Sequence, residues 1–457
     1  MVSLKFHKIP LVLTIVSLLL YFVFAYDLVR TEYTKLLLIY GLLWAVFITL
    51  IRTVDNLKYL SIISFLSRAV FILAIPNLSQ DFYRFIWDGR LLLEGFNPYL
   101  YTPESFIQFG NFPIAQANEL YAGMGNLNAS HFTNYPPIHQ LGFVIAGLFS
   151  GHSILGSVMV LRVLIIAADF GILIFGKRLL KQFNLSEKHI FWYILNPFII
   201  IELTGNLHFE GVMVFFLIWS LYLLHQNRWQ WAAIVFGLSI SVKLMPLLFL
   251  PLFLKYFKKD SNSKIDFKRL VSFYLVVGLT IIILFIPFFN FEFIQNYTQT
   301  VALWFNNFEF NASIYYVVRE IGYLFRGYNE IAIIGKILSA IILLIVLVLS
   351  LRKNNSDIKI LIRNMLIAFT IYLFLSTTVH PWYVTTLLAL SIFTNYKYPI
   401  VWSAVIILSY LAYLGTNKAD KSENLWLIAM EYVIVYGFFI WELFFKTPTS
   451  TNKKSQL

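Results

Sequence analysis

The 457-residue sequence contains no cysteine, and only 13% of its residues are charged. Without cysteine, neither disulfide bonds nor cysteine-ligated metals can contribute to the structure. A soluble domain carries about 25% charged residues, so the shortage of charge excludes a soluble fold for most of the chain. Hydrophobic residues make up 59% of the sequence, in apolar runs of the roughly 20 residues that a membrane-spanning helix needs. We therefore predict an all-α polytopic membrane protein.

The basic residues exceed the acidic ones and give a net charge of +12. In a soluble protein this charge would suggest a nucleic-acid partner. Here the Lys and Arg residues lie in short turns between apolar runs, where they set the orientation of a membrane protein. Nucleic acid is therefore not an expected partner, whereas membrane lipids are.

The ends of the chain differ in composition. The first apolar run, 9–29, follows Lys5 and Lys8 as a signal peptide would. It is too long for the hydrophobic region of a signal peptide and lacks a small-residue cleavage site, so we expect a retained first helix. Residues 1–446 are predicted to form a single transmembrane domain, and the polar residues 447–457 a disordered cytoplasmic tail.

The apolar runs predict about 12–14 transmembrane helices. With the basic N-terminus inside, positively charged loops fall on the cytoplasmic side only if 138–151 is re-entrant or interfacial and 229–257 divides into two short spans near Lys243. The candidate spans are 9–29, 35–51, 59–78, 154–176, 188–203, 208–225, 229–243, 244–257, 267–289, 331–351, 360–378, 380–394, 397–415 and 424–445.

This topology places a large first loop, 79–138, on the outer face of the membrane. No Lys or Arg occurs between positions 91 and 140, as expected of an outer segment. The other outer elements are a second loop at 290–330, a tight turn at 204–208 and a turn at 380–382. No internal repeat is apparent, although inverted repeats with broken helices would have favoured a transporter.

A helix is predicted to begin the first loop at Asp81 and to end near Gly95. At 100° per residue, Asp81, Arg84 and Asp88 fall on one stripe, a pattern typical of a helix lying along the membrane surface. A rise of 1.5 Å per residue separates the two aspartates by about 10 Å, so they do not form a close pair, and Arg84 can reach either one. The alternative interpretation is an ordinary amphipathic helix with a solvated Asp–Arg pair.

Other unusual polar groups fall on the same predicted outer face. Lys243 lies between two apolar half-spans, where a charge costs about 2.5–3.5 kcal/mol and favours an anionic partner. His380 begins a predicted span and is a candidate functional residue; the alternative interpretation is that this histidine has only a structural role. The group around His208 and Glu210 has too few ligands at the wrong spacing for a zinc site. The members of the outer-face set are Glu202, Asn206, His208, Glu210, Lys243 and His380.

In their order and spacing these residues resemble the GT-C superfamily of polytopic glycosyltransferases, which use polyprenyl-phosphate sugars as donors. They look most like bacterial polyprenol-phosphate-mannose-dependent mannosyltransferases, and more distantly like the first mannosyltransferase of GPI-anchor synthesis. In that last family an Asp-x-Asp-Tyr segment is present; here Asp81 takes the place of the second aspartate and Ser79 that of the first. The other matching positions are Gly95, Pro98, Tyr99, 135–137, 196–197, 205–210, 243–246, Pro251 and 380–383.

The resemblance implies an inverting transfer of a sugar, with mannose favoured, from a polyprenyl-phosphate donor to a lipid- or glycan-linked acceptor. It implies a GT-C fold in a plasma (inner) membrane, with the site facing the periplasm or exterior. Asp81 is the expected base and Asp88 its support. Because Ser79 interrupts the Asp-x-Asp pattern, no metal or other cofactor is expected. The remaining substrate-binding candidates are Arg84, Arg90, Tyr99, Tyr135, Asn206, His208, Glu210, Lys243, His380 and Trp382, with Trp87, Tyr99 and Tyr135 as candidate sugar-stacking rings.

Two other functions are compatible with the pattern. A lipid or sugar transporter or flippase would need a continuous polar path, whereas the ionisable groups cluster on one side of the predicted membrane. A lipid-A-type or O-antigen transferase would usually carry a larger soluble domain or different outer-loop motifs.

Overall fold

The computed structural model describes residues 8–259, 264–306, 308–352, 355, 357–411 and 423–445. It is almost entirely helical, which confirms the predicted all-α polytopic membrane protein. The strands among the described residues form one small antiparallel hairpin, β1 (Lys258–Lys259) and β2 (Lys264–Ile265). The predicted tail at 447–457 lies outside the described residues.

The first part of the chain contains the predicted outer loop and the helices on either side of it. They are α1 (Lys8–Tyr26), α2 (Tyr33–Thr53), α3 (Leu57–Ala69), α4 (Asp81–Leu93), α5 (Pro103–Gln108), α6 (Ala117–Ala129) and α7 (Pro137–Ser150). The next group is α8 (Ile154–Gln182), α9 (Phe191–Ile194), α10 (Pro197–Ile199), α11 (Glu210–His225) and α12 (Trp229–Val242), with a π-helical turn at Ile200–Gly205 and 3₁₀ segments at Glu187–Ile190 and Met245–Lys255.

The last part of the chain contains long helices and several short ones. They are α13 (Phe267–Phe285), α14 (Phe291–Asn306), α15 (Ile314–Arg326), α16 (Ile331–Arg352), α17 (Ile358–Leu375), α18 (Val384–Ser391), α19 (Tyr398–Val405) and α20 (Leu425–Phe444). The 3₁₀ segments are Ile286–Phe288, Pro381–Tyr383 and Ile406–Leu411.

In the described part of the chain, fewer long continuous helices are present than the 12–14 spans that the apolar runs predict. Among the described residues, seven helices are long and apolar enough to cross a membrane, or eight if the bent pair Pro197–Gly205 and Glu210–His225 is one span. Several other predicted spans are short or interrupted helices. The seven long ones are Lys8–Tyr26, Tyr33–Thr53, Ile154–Gln182, Phe267–Phe288, Ile331–Leu351, Ile358–Leu375 and Leu425–Phe444.

The interruptions have local causes. Helix α3 ends at Ala69, and Pro76, which has no N–H to donate, prevents a helix from resuming in the segment that leads to α4. Asn196 caps α10 by accepting the N–H of Phe198 at 2.9 Å, and Pro197 occupies the first helical position. The predicted division of 229–257 is confirmed as a break in the helix, because α12 ends at Val242 and Lys243 is extended (φ −147°, ψ 141°).

Helix α4 is confirmed from Asp81 onward, but it is enclosed by its surroundings. Gly89 lets it approach α7 closely, since a Cβ atom there would lie 2.2 Å from the carbonyl oxygen of Phe143. Nine residues of α4 are buried, on both faces of the predicted amphipathic pattern. The helix is therefore an internal support of the loop, and the solvated Asp–Arg pair of the alternative interpretation is wrong.

The centre of the molecule is formed where α7, α8, α11 and α12 pack together. Helix α7 occupies the region predicted to be re-entrant or interfacial. Its 14 residues extend about 21 Å, which is short of a bilayer core of about 30 Å. It packs against α4, α8 and α12, so it connects the outer loop with the interior helices.

Candidate active site

Asp81 stands at the start of α4, where the helix dipole favours a negative charge. Its N–H donates to the Ser79 hydroxyl at 3.3 Å, and its Oδ1 accepts from the Asn128 amide at 3.3 Å. The side chain is partly exposed. Withdrawal from water raises the pKa of Asp81, and the charges of Lys243 and Arg30 hold part of this rise back. A carboxylate with a raised pKa and an open side is suited to accept a proton.

Arg84 and Asp88 form a buried ion pair inside the loop. The Arg84 Nε donates to Asp88 Oδ1 at 2.7 Å, and Gln140 donates to Asp88 Oδ2 at 3.2 Å. Arg84 also donates to the carbonyl oxygens of Asn128 at 2.6 Å and His131 at 2.9 Å. Of the two aspartates that Arg84 was predicted to reach, it contacts Asp88. In this structure the pair holds the segment that carries Asn128, and neither group is open to a substrate.

Three further candidates are also enclosed. Arg90 donates to the carbonyl oxygen of Ala115 at 2.8 Å and is 5% exposed. The hydroxyl of Tyr99 donates to the carbonyl oxygen of Tyr135 at 2.5 Å, and both Tyr99 and Trp87 are fully buried. Their rings are therefore not available for stacking on a sugar in this conformation.

The break between the π-helical turn and α11 carries the next group of polar residues. The two helical segments meet at 114°, and Leu207 adopts a left-handed conformation (φ 64°). The amide of Asn206 donates to Glu202 at 3.4 Å, while its oxygen accepts the N–H of Leu78 at 3.3 Å. Tyr410 donates to Glu202 at 2.9 Å. Asn206 thus ties this break to the segment that leads into Asp81.

Lys243 and Glu210 form an ion pair at the centre of the site. Their Nζ and Oε1 atoms are 3.0 Å apart, with the Glu210 side chain fully buried and that of Lys243 19% exposed. The ammonium group also lies 5.4 Å above the centre of the Tyr135 ring. The predicted anionic partner of Lys243 is therefore supplied by the protein itself, while part of the Lys243 side chain stays exposed.

A column of stacked rings borders the same region. His208 and Trp382 stack at 3.7 Å, Trp382 and His380 at 4.5 Å, and His380 and Phe310 at 5.2 Å. Both faces of Trp382 are therefore covered by imidazoles. Burial, reinforced by the charge of Lys243, lowers the pKa of His380 to about 3, so this imidazole is neutral at physiological pH.

Arg30 and Arg162 belong to the site region and were not among the predicted residues. The exposed Arg30, in the turn between α1 and α2, lies 5.9 Å from the centre of the Tyr410 ring and acts electrostatically on Asp81. The fully buried Arg162 donates to backbone carbonyl oxygens on both sides of the site. Arg30 resembles any topology-setting charge in a short turn. Arg162 could have been identified from the sequence. A charge in the middle of a long apolar run is energetically costly, which makes it a candidate functional residue.

We expect replacement of Lys243 to destabilise the protein more than replacement of Glu210. Lys243→Met leaves a buried carboxylate without its partner, a change that costs about 3–5 kcal/mol in fully buried pairs. Glu210→Gln leaves a partly exposed ammonium that can still reach water. Thermal unfolding of the purified variants in detergent measures the difference. The double variant is the control, since it removes both charges and is expected to recover part of the lost stability. Equal losses for the two single variants would contradict this ordering.

No group of three or more His, Asp or Glu side chains within the described ranges is arranged to hold a metal ion. The expected absence of a metal remains a prediction.

Comparison with known proteins places the chain in a family. The family model described as "Alpha-(1->6)-mannopyranosyltransferase, N-terminal domain" matches residues 15–257. The chain is 22% identical over 217 residues to "Alpha-(1->6)-mannopyranosyltransferase A" of Mycobacterium tuberculosis, covering 47% of this chain and 40% of the relative. It is 25% identical over 185 residues to the protein of the same name from Corynebacterium glutamicum, covering 39% and 35%.

The alignments thus span about two fifths of the length of these curated relatives. The matched region includes Asp81, Asn206, Glu210 and Lys243 but ends before the ring pair His380 and Trp382. The resemblance to bacterial mannosyltransferases is confirmed at the level of the family. Because the model matches more than half of the chain, this protein belongs to the alpha-(1->6)-mannopyranosyltransferase family.

Proposed function

We propose that this protein is an integral membrane glycosyltransferase that moves a mannosyl residue from a polyprenyl-phosphate donor to a lipid- or glycan-linked acceptor, with inversion. The proposal places it in the plasma membrane with Asp81 on the outer side. The observation that carries the proposal is the partly exposed carboxylate of Asp81, which is under the electrostatic influence of Lys243 and Arg30. Family membership supports the transfer of a mannosyl residue.

In the proposed reaction the acceptor oxygen attacks the anomeric carbon of the donor sugar. The bond between that carbon and the phosphate oxygen breaks, and its electron pair leaves with the phosphate. Asp81 takes the proton of the acceptor hydroxyl as the new bond forms. Such base catalysis contributes about 10²–10⁴-fold to a rate.

The leaving phosphate needs positive charge or hydrogen-bond donors. The Lys243 side chain is partly exposed and Arg30 is exposed, and both charges act on Asp81, so we assign the phosphate to these two groups. His380 contributes an N–H donor at most, because its lowered pKa keeps it neutral. Arg84 is buried against Asp88, so in this proposal it supports the loop that carries Asn128.

The sugar is assigned to the space beside Tyr135 and the Glu210–Lys243 pair. Tyr135 is partly exposed, in contrast to the buried rings of Trp87 and Tyr99. Glu210 is fully buried against Lys243, so we assign it the role of holding the ammonium group in place beside the sugar. Asn206 and His208 are nearly fully buried, and we assign them a role in holding the break that carries Glu210.

The function is tested with the purified full chain in lipid nanodiscs and a panel of polyprenyl-phosphate sugars carrying mannose, glucose, galactose or arabinose. We expect loss of the sugar from the mannosyl donor, with transfer to an acceptor in a lipid extract of bacterial membranes. The matched control is the same protein with Asp81→Asn. No release of sugar from any donor, together with movement of labelled donor across liposomes containing the protein, would replace this proposal with a transporter or flippase.

A further inference from the structure

Helix α15 carries an apolar face that the rest of the described structure leaves open. Val317 is 63% exposed, Ile321 50%, Leu324 83% and Phe325 82%. These positions follow one another at intervals of four, three and one residues, which places them on one side of a helix. Full burial of one such side chain stabilises by about 1.5–3 kcal/mol, so four of them on one side indicate a partner that is apolar.

The opposite side of α15 is attached to the protein. Tyr315 is buried and its hydroxyl donates to Glu309 at 2.6 Å. Arg319 donates to Glu309 at 2.6 Å, and its guanidinium lies 4.4 Å from the centre of the Tyr316 ring. These contacts fix the orientation of α15 about its own axis. The apolar face on the other side of the helix therefore points away from the protein.

The open face of α15 continues into the surface of a membrane-spanning helix. Gly327, in a left-handed conformation (φ 76°), ends α15, and α16 begins at Ile331. A Cβ atom at Gly322 would lie 3.6 Å from Ile334 of α16, so the two helices touch. Only 22% of the most apolar stretch of α16 is buried within the protein. The remainder of that surface is apolar and open, as expected of a helix that is long and apolar enough to cross a membrane.

We propose that α15 lies in the surface layer of the bilayer, with Val317, Ile321, Leu324 and Phe325 inserted among the lipid chains. Amphipathic helices of this kind insert about 5–10 Å at the boundary between headgroups and chains. The polar end of the helix fits the same position. Arg326 is exposed and paired with Glu330 at 3.4 Å, and arginine at the end of an interfacial helix extends toward the headgroups.

The position of α15 sets the level of the membrane surface beside the candidate active site. Immediately before α15, Phe310 forms backbone hydrogen bonds with Thr377 at 3.1 Å and Val379 at 2.8 Å. The Phe310 ring also stacks on His380. An α15 seated in the lipid surface therefore holds the ring column at the height of the headgroups. This placement does not depend on which reaction the site performs.

Because the chain contains no cysteine, single cysteines can report the surroundings of individual positions. Spin labels are placed at Leu324→Cys and Phe325→Cys in the full chain in nanodiscs. The matched control is Arg326→Cys, which is one residue beyond Phe325 and about 160° round the helix from Leu324. Leu344→Cys, 61% exposed on α16, is the reference for a position inside the bilayer.

We expect the labels at 324 and 325 to collide more often with oxygen, which partitions into lipid, than with a water-soluble nickel chelate. The label at 326 is expected to show the opposite preference, and the label at 344 the strongest preference for oxygen. A preference for nickel at 324 and 325 would place the face in water and overturn the proposal. Protection from both reagents would mean that a second copy or another protein covers the face, which also overturns it.

Discussion

Replacing Asp81 by Asn is expected to lower the rate of sugar transfer by about 10²–10⁴-fold, with little change in protein abundance or donor binding. Asn is nearly isosteric with Asp and can keep the contacts with Ser79 and Asn128 that are seen at 3.3 Å, but it cannot accept the proton of the acceptor hydroxyl. The measurement is single-turnover transfer from the mannosyl donor, with donor binding followed separately.

The matched control for Asp81 is Asp88, which lies on the same stripe of α4 about two turns further along. Asp88→Asn leaves the buried Arg84 without its carboxylate. This variant is therefore expected to lower thermal stability, while Asp81→Asn is not. Full transfer by Asp81→Asn at normal abundance would remove Asp81 from the role of base.

The pH dependence of transfer supplies a second readout of the same role. Asp81 acts as a base only when deprotonated, so activity falls as the pH drops through its pKa. Since burial raises this pKa, the fall begins at a higher pH than for an ordinary aspartate. Lys243 and Arg30 lower the pKa, so Lys243→Met and Arg30→Gln are both expected to move the fall in activity to higher pH. A shift to lower pH in both variants would contradict the assignment.

Replacing Arg162 by Lys is expected to lower kcat by about 10²-fold, the effect of displacing reacting groups by about 1 Å. Arg162 donates to the carbonyl oxygens of Thr204 at 2.8 Å and Gly205 at 3.2 Å, and to that of Ile72 at 3.0 Å. The first two precede the break that carries Glu210, and the third lies in the segment that leads into Asp81. One planar guanidinium therefore sets the spacing of the two halves of the site, which the compact ammonium of lysine cannot do.

Arg68 is the matched control for this positioning role. It is a second fully buried arginine, paired with Asp169 at 2.7 Å and bonded to the carbonyl oxygen of Ile194 at 2.7 Å. Arg68→Lys is expected to lower thermal stability without moving the pH at which transfer falls. Arg162→Lys is expected to move that pH, because the distance between Asp81 and Lys243 changes. Equal stability losses with unchanged pH profiles would assign Arg162 a structural role alone.

Several helix starts and breaks around the candidate site could be predicted from the sequence because the residues there break strong local rules. Lys243 interrupts an apolar run, and the break there is confirmed. Asp81 begins a helix as predicted. Asn196 and Pro197 mark a helix start inside a predicted span, where the structure has one. A charge, a capping residue or a proline within an apolar run has few explanations other than a helix end or a functional group, so each one predicts such a feature by itself.

Other features could not be predicted because they depend on contacts between distant segments. Arg84 pairs with Asp88 and not with Asp81 because contacts more than 40 residues away hold both groups. The carbonyl oxygens of Asn128 and His131 accept from Arg84, and Gln140 donates to Asp88. Within the described residues, the number of long continuous helices is lower than the number of predicted spans for a related reason. A broken helix surrounded by other helices has the same composition as a complete span, and Arg162 satisfies the carbonyl groups that the break exposes.

The sequence by itself determined that the chain is an all-α membrane protein, where its apolar runs lie and which polar residues interrupt them. These properties depend on the free energy of transferring each residue into lipid, which is nearly independent of its neighbours. Only the tertiary structure decided which of these polar groups are paired and buried and which stay open, leaving Asp81 partly exposed while Asp88 is enclosed. Burial and pairing depend on which segments contact each other in the folded chain, and local sequence patterns do not specify those contacts.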